Sequence, residues 1–341
     1  MTIIQALSPI AATTRRLNAI TRVAAVIATS VMLMSFAAPN ADAQSYPSRP
    51  LRFVVGNPPG GTTDLMARIL ADRLKDRIGQ PVVIETRAGA ASLLAIDYVA
   101  KQPADGYTFV VASSSIATLP TLNPNANYSP TRDFTPVAAI AVAPFLVLVR
   151  GDFPVQNLAE FVAYAKANPG KINVGAAGNG SFDHLAGTAF VLKSDTKMTW
   201  IAYKGEAAAV ADLVGGRVDA AFLQWGTSGP HILAGKIRVL ASMSAARVPT
   251  LPNVPTAAEA GTPVEAAAWF AMFGPAGLPK EVVDLLSRES TTILRQPEAV
   301  ERIRAVFQQP LILTPDQLGA LMRKSTEDWA AVIKAADLKV Q

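Results

Sequence analysis

The loop at residues 56–64, with the sequence GNPPGGTTD, has the composition of an anion-binding turn. Its glycines allow backbone N–H groups to turn toward a ligand, and Thr62 and Thr63 add hydroxyl donors. A predicted strand precedes the loop and a predicted helix follows it, so the positive end of a helix dipole should lie beside the glycines. The segment therefore predicts an anion cradle or a plain strand-to-helix turn. In either case Asp64 is expected to cap the helix and hold the loop.

Two glycine-rich loops match nucleotide-binding motifs only in part. Gly56 and Gly61 have the separation found in a P-loop, but Thr62 occupies the position where a phosphate-binding lysine is required. In the second loop, residues 175–184 (GAAGNGSFDH), Asp183 occupies the third glycine position of a dinucleotide fingerprint. These departures argue against a nucleotide ligand.

Small and polar residues also follow other predicted strands. They form the segments 113–115 (SSS), 175–184 and 203–206 (YKGE), each at a predicted strand-to-helix junction. Open α/β sheets bind ligands at the carboxyl ends of their strands. We therefore expect these loops and the loop at 56–64 to surround one ligand.

A serine hydrolase, an enzyme rather than a binding protein, is an alternative that the residue types allow. Asp183, His184 and a serine from 113–115 or Ser181 supply the residue types of a catalytic triad. No G-x-S-x-G elbow supports it, and adjacent Asp and His residues on a helix usually point in different directions. The chain's two histidines, His184 and His231, show no metal-ligand spacing. The sequence therefore predicts a binding protein without catalytic residues, metal or cofactor.

Alternating strand and helix patterns predict an α/β fold with largely parallel sheets. Strands are predicted at 51–55, 82–84, 107–112, 145–149, 173–176, 199–202, 220–223 and 239–242, and the first helix runs from Thr63 to Gly79. Three helices are predicted near the C-terminus, at 280–294, 297–306 and 315–336. Spacing alone leaves open whether these helices return to the first α/β block.

Composition excludes several classes of protein. The 341 residues carry a formal net charge of +5 without a cluster of Lys or Arg, so no nucleic acid is expected as a partner. The chain has no cysteine, which excludes disulfides, thiolate metal sites and a lipid-anchored export form.

The N-terminus has the layout of a secretory signal peptide over residues 1–43. Three arginines, at positions 15, 16 and 22, precede an apolar stretch at 23–38, and an A-x-A pattern ends at Ala43. The stretch is shorter than the roughly 20 residues that span a bilayer, so cleavage near Ala43 is favoured over a membrane anchor. The paired arginines admit a twin-arginine route, but the residues after them match that signal poorly, so general secretion is favoured.

Short motifs recur in a fixed order along the chain. They are YPSRP (46–50), PPGG (58–61), GQPV (79–82), DGYT (105–108), NPGK (168–171), GNG (178–180), HLAG (184–187), YKG (203–205), LPNVPT (251–256) and PAG (275–277). In this order and spacing the chain resembles the solute-binding proteins of tripartite tricarboxylate transporters, the Bug family. The resemblance covers essentially all residues after the signal peptide.

The resemblance implies a type II periplasmic-binding-protein fold, with two α/β lobes, a ligand cleft and two crossover strands. Residues 46–146 plus 270–341 would form lobe 1, and residues 147–269 would form lobe 2. The implied protein is a periplasmic monomer that captures a small carboxylate, such as a dicarboxylate, an aromatic acid or an amino acid. It would pass this ligand to the membrane permease of a tripartite transporter. A ligand sensor for a two-component receptor is an alternative that the sequence does not separate.

Matching positions imply where the ligand would bind. The first lobe would contribute Pro59, Gly60, Gly61, Thr63, Ser113 and Ser114, and the second would contribute Ser181, His184, Tyr203 and Gly205. Thr62, from the loop pattern, joins the first group. Four further positions depart from the family pattern and fall on cleft loops: Asn57, Phe182, Asp183 and Trp225. Asp183 would repel a second carboxylate but could pair with an amine, or it could cap the helix. Trp225 could face the cleft or the core.

Overall fold

The computed structural model describes residues 46–336 and residue 338, so the predicted signal peptide at 1–43 lies outside the described residues. Eleven strands occur in the described part of the chain. They are β1 (Leu51–Val55), β2 (Val82–Thr86), β3 (Thr108–Ser113), β4 (Phe134–Pro144), β5 (Leu146–Arg150), β6 (Asn173–Ala176), β7 (Thr199–Ala202), β8 (Ala220–Leu223), β9 (Ile237–Ser242), β10 (Ala267–Pro275) and β11 (Gln309–Pro310).

Ten α-helices accompany these strands within the same described residues. They are α1 (Thr62–Ile78), α2 (Leu93–Ala100), α3 (Ser115–Leu122), α4 (Leu158–Ala167), α5 (Phe182–Ser194), α6 (Glu206–Val214), α7 (Trp225–Leu233), α8 (Lys280–Leu294), α9 (Pro297–Ala305) and α10 (Pro315–Ala335). No helix among residues 46–336 combines the length and the apolar composition that a membrane span requires.

The first sheet has the strand order β11-β4-β10-β3-β1-β2. Strand β1 runs parallel to both β2 and β3, and β10 pairs antiparallel with β3 and β4. Helix α1 follows β1 and buries Met66, Leu70 and Leu74, which recur at helical spacing. Gly79 ends α1 in the left-handed conformation that favours glycine, with its N–H donated to the Lys75 carbonyl. The loop at 56–64 is thus held between a buried strand and a buried helix.

The second sheet has the order β7-β6-β8-β5-β9. Its strand β6 lies parallel to β7 and β8, whereas β5 is antiparallel to β8 and β9. Helix α5 packs on this sheet through Phe190, whose ring lies 5.1 Å from that of Phe222 on β8. As in the first sheet, parallel strands bring the ends of β6 and β8 to one edge, where α5, α6 and α7 begin.

The chain crosses between the sheets at two places. Strand β4 ends at Pro144 and β5 begins at Leu146, so Phe145 alone links the two sheets there. The return lies between β9 and β10. The Phe145 N–H donates to the Ala266 carbonyl at 3.0 Å, and the Met243 N–H donates to the Phe145 carbonyl at 2.7 Å. The two crossings are therefore bonded to each other, and the predicted α/β fold with two lobes and two crossovers is confirmed.

Helix α10 belongs to both lobes, and from Pro47 onward the described chain forms one compact unit. Leu318 and Met322, in its first half, lie in the core around the first sheet. Trp329 and Ile333, in its second half, lie in the core of the second. The predicted lobe limits, 46–146 plus 270–341 and 147–269, therefore stay a prediction, because one helix contributes to both cores.

Candidate ligand-binding cleft

A cavity of about 690 Å³ lies between the two sheets, at the carboxyl ends of their parallel strands. Ser113 ends β3, Asn57 follows β1 and Gln224 follows β8, and all three lie in its wall. Eight predicted site residues lie in this wall: Asn57, Thr62, Thr63, Ser113, Ser114, Ser181, Phe182 and Asp183. The cavity therefore collects residues from loops that are far apart in sequence.

Six α-helices begin at this cavity without a side-chain cap. They are α1, α2, α3, α5, α6 and α7, and their N-cap residues are Gly61, Ser92, Ser114, Ser181, Gly205 and Gln224. Elsewhere Asn157 caps α4 and Thr314 caps α10, while α8 and α9 start without caps away from the cavity. The first amides of a helix carry partial positive charge and lack intrahelical acceptors. Their convergence on one cavity gives it a set of preformed anion donors.

Asp64 holds the first loop in shape from inside the helix. It lies in the first turn of α1 rather than at the N-cap, and its Oδ2 accepts the Gly60 N–H at 2.9 Å and Arg68 Nε at 2.8 Å. Burial alone would raise the pKa of Asp64, but the hydrogen bonds from Arg68 and Gly60 outweigh it and lower the pKa. The Thr62 and Thr63 amides donate to no backbone carbonyl among residues 46–336. The hydrogen bonds of Asp64 thus hold the loop while the Thr62 and Thr63 amides stay free for a ligand.

Replacing Asp64 with alanine should lower the free energy of unfolding by about 1–3 kcal/mol at neutral pH, because the charge-assisted hydrogen bonds that its carboxylate accepts from the Gly60 N–H and Arg68 are lost. Because the folded-state pKa of Asp64 lies below its ordinary value of 3.8, the stability it contributes is present above that pH and lost as pH falls further. Urea unfolding of wild type and D64A should therefore give curves that converge below about pH 4. D76A, at an exposed position on the same helix, is the matched control. A difference in the free energy of unfolding between wild type and D64A that persists unchanged below about pH 4 would contradict the role of the Asp64 carboxylate in holding the loop.

The loop at 177–181 forms the facing wall and is fixed by three side chains. Asp183 Oδ2 accepts the Ala177 N–H at 2.6 Å, His184 Nδ1 accepts the Gly180 N–H at 3.1 Å, and Ser181 Oγ donates to the Gly178 carbonyl at 2.6 Å. Asp183 is only 3% exposed. Burial lowers the pKa of His184, although Asp183 opposes this, so the imidazole is neutral at pH 7. Asp183 and His184 therefore organise this loop.

Seven predicted site residues lie outside the cavity wall, and ligand contact at any of the fifteen stays a prediction. Pro59, Gly60 and Gly61 directly precede Thr62 in the first loop, where Pro59 and Gly60 are exposed. His184 packs on Trp200, with ring centroids 4.5 Å apart. The remaining three have partners elsewhere: Tyr203 Oη donates to Asp212, the Gly205 N–H donates to the Ala177 carbonyl, and the Trp225 ring lies beside Phe307 at a separate cavity.

The wall also contains residues that were not predicted individually as ligand contacts: Ser92, Ser115, Asn123, Glu206, Gln224 and Phe270. Ser115 and Glu206 belong to loops that the sequence predicted to surround the ligand. Gln224 adjoins the predicted Trp225 at a helix start, so the loop pattern could have found it. Ser92 and Phe270 come from distant segments without a local signal.

No triad or metal centre forms within the described residues. The His184 ring takes its hydrogen bond from the Gly180 amide and bonds to no described serine hydroxyl. Within residues 46–336 no group of three or more His, Cys, Asp or Glu side chains could hold a metal ion.

An inter-lobe cleft at the carboxyl ends of parallel strands, with two crossovers between the lobes, defines a two-lobe solute-binding protein. The family model described as "Tripartite tricarboxylate transporter family receptor" matches residues 66–338. The chain belongs to this family, whose members are solute-binding receptors and not enzymes.

Individual relatives agree with the family assignment. The chain is 36% identical to Protein BugT of Bordetella pertussis, over 94% of this chain and 99% of that protein. R. palustris Rpa4515, solved with adipate, is 35% identical with a TM-score of 0.70, covering 86% of this chain and 99% of that one. MatC of Rhodopseudomonas palustris, solved with bound malate, is 31% identical with a TM-score of 0.66, covering 84% and 100%. The predicted periplasmic-binding-protein fold and family resemblance are thereby confirmed.

Proposed function

We propose that this receptor captures a small organic carboxylate in the cleft and delivers it to the membrane permease of a tripartite transporter. The observation that carries this proposal is the pair of free amides at Thr62 and Thr63, at an uncapped helix start in the cleft. Ser113 and Ser115, whose hydroxyls are hydrogen-bonded to each other, lie in the wall of the same cavity. Two relatives solved with adipate and malate support the same class of ligand.

Closure of the lobes would complete the site. The ligand first meets the amides and hydroxyls of the first lobe, and the second lobe then adds the loop at 177–181. Such contacts, available only in the closed form, shift the population of conformers toward it. The paired crossings at Phe145 and Met243 are the natural hinge, because they are the strand connections between the sheets. The closed monomer is the form that would dock onto the permease, and no bond is made or broken.

A thermal-shift screen of the purified protein tests the proposal. Dicarboxylates, tricarboxylates, aromatic acids and amino acids would be compared with uncharged amides of the same chain length. A carboxylate at 100 times its dissociation constant should stabilise the protein by about 2.7 kcal/mol, raising Tm by roughly 4 °C. Equal shifts for acids and their amides, or no shift with any acid, would contradict carboxylate capture. Uptake of the bound acid by cells should require both this protein and the permease.

We further propose export to the periplasm by general secretion. The basic, apolar and A-x-A segments of residues 1–43 support it, as does membership of a receptor family for membrane transporters. Protein isolated from the periplasm should begin at Gln44. A mature chain that retains residues 23–38 would overturn this proposal.

A further inference from the structure

We propose that Glu206 selects carboxylic acids that also carry a positively charged nitrogen, a specificity that presupposes the carboxylate site proposed above. Glu206 is the first residue of α6, on the second lobe, and its half-buried side chain lies in the cavity wall.

The charge of the cavity wall is one-sided. Its charged residues within the described chain are Asp183 and Glu206, both acidic, and no Lys, Arg or His side chain lies in it. Neither acid belongs to an ion pair formed by the described residues. A ligand with carboxylates at both ends would therefore place one of them near uncompensated negative charge.

Asp183 and Glu206 differ in burial and in the hydrogen bonds that their carboxylates accept. Asp183 is buried and its Oδ2 is committed to the Ala177 amide. Glu206 Oε2 accepts a hydrogen bond from Thr227 Oγ1 at 2.9 Å, and Oε1 accepts none from any residue between 46 and 336. Asp183 Oδ1 likewise accepts no hydrogen bond from the described residues, but Asp183 is buried whereas Glu206 is half-buried, so Glu206 is the acid more accessible to a ligand.

The first lobe has the opposite polarity. The wall there contains the free amides of Thr62 and Thr63 and the start of α3, whose first turn carries no acid. Ser114 Oγ, at the same start, is fully buried and has no partner among the described residues. A carboxylate satisfies these donors, and an ammonium group at the other end of the same ligand satisfies Glu206.

The environment of Glu206 makes a cationic ligand group favourable. Burial raises the pKa of Glu206, the Thr227 hydrogen bond partly opposes this, and the Asp183 carboxylate raises it further. An ammonium group beside Glu206 would relieve the cost of holding a charge there, whereas a second carboxylate would add to it. Glu206 would thus attract the ammonium group of an amine-bearing acid and repel the second carboxylate of a diacid, and both effects favour the amine-bearing acid.

Isothermal titration with matched acids tests the inference. Each pair has the same carbon chain: glutarate with L-glutamate, succinate with L-aspartate, and adipate with 6-aminohexanoate. In at least one pair wild type should bind the amine-bearing member at least about tenfold more tightly. E206Q, which keeps the shape and removes the charge, should weaken that member about tenfold or more and leave the plain diacid equal or tighter. E281Q, at an exposed acid in the first turn of α8, is the control and should change neither.

Other outcomes separate this inference from the proposed function. If the diacids bind more tightly in every pair and E206Q leaves the ratios unchanged, the role of Glu206 is wrong while carboxylate capture stands. If no acid from these pairs or the screen binds, both fail. Circular dichroism of E206Q, with E206A as a second variant, establishes that any loss of affinity occurs in a folded protein.

Discussion

Replacing Gly61 with aspartate should abolish carboxylate binding and leave the fold intact. Gly61 is the N-cap of α1, and its φ of −69° and ψ of 159° suit any residue. Aspartate is among the preferred N-caps, so its carboxylate should accept the first amides of α1 and change stability by less than about 1 kcal/mol. The same carboxylate would occupy the donors that we assign to the ligand. The thermal shift of about 2.7 kcal/mol expected for wild type should therefore disappear.

Alanine at the same position separates charge from bulk. A Cβ at Gly61 would lie 3.2 Å from the Pro58 carbonyl oxygen, a tight contact that G61A and G61D share. G61A should therefore keep most of the thermal shift, because its amides remain free. Undiminished binding by G61D would show that the first loop is not the cradle.

Truncating Trp329 to alanine should produce the largest loss of stability. Its ring packs against Phe182 with centroids 5.1 Å apart, and Phe182 in turn stacks on Phe145 at the first crossover. Removing a buried Trp side chain typically costs about 3–5 kcal/mol. One side of Trp329 already borders a second cavity of about 430 Å³, so we expect a loss near the lower end, about 3 kcal/mol.

Urea unfolding measures this loss directly. W225A is the matched control, because Trp225 is half-buried and should cost clearly less. Affinity for a carboxylate should also fall in W329A, since Phe182 lies in the cleft wall and loses its support. A loss of less than about 1 kcal/mol would mean that the second half of α10 does not join the lobes.

The sequence predicts most strands of this fold well, including the antiparallel β5 and β9, but it predicts neither β4 nor β10. Alternating strand and helix patterns locate β1, β3 and β6, and the three C-terminal helices, to within a few residues. Strands β4 and β10 carry no such signal. Both are nearly continuous apolar runs buried on both faces, and periodicity does not distinguish such a run from a buried helix.

The site residues also fall into two groups, those whose position follows from the strand topology and those whose position does not. Asn57, Thr62 and Ser113 follow or end parallel strands, so their meeting at one edge follows from topology alone. Glu206 and Trp225 occupy the same position in α6 and α7, yet one lies in the cleft wall and the other lies beside Phe307. Which way a first-turn side chain points depends on how its helix packs, and the local sequence does not determine this.

A crystal structure of the receptor with a carboxylate selected by the thermal-shift screen tests the central claim most directly. A ligand carboxylate should lie within about 3 Å of the Thr62 and Thr63 amide nitrogens, with the loop at 177–181 closed over it. An acid held in the cavity beside Trp329, with those two amides untouched, would contradict the account.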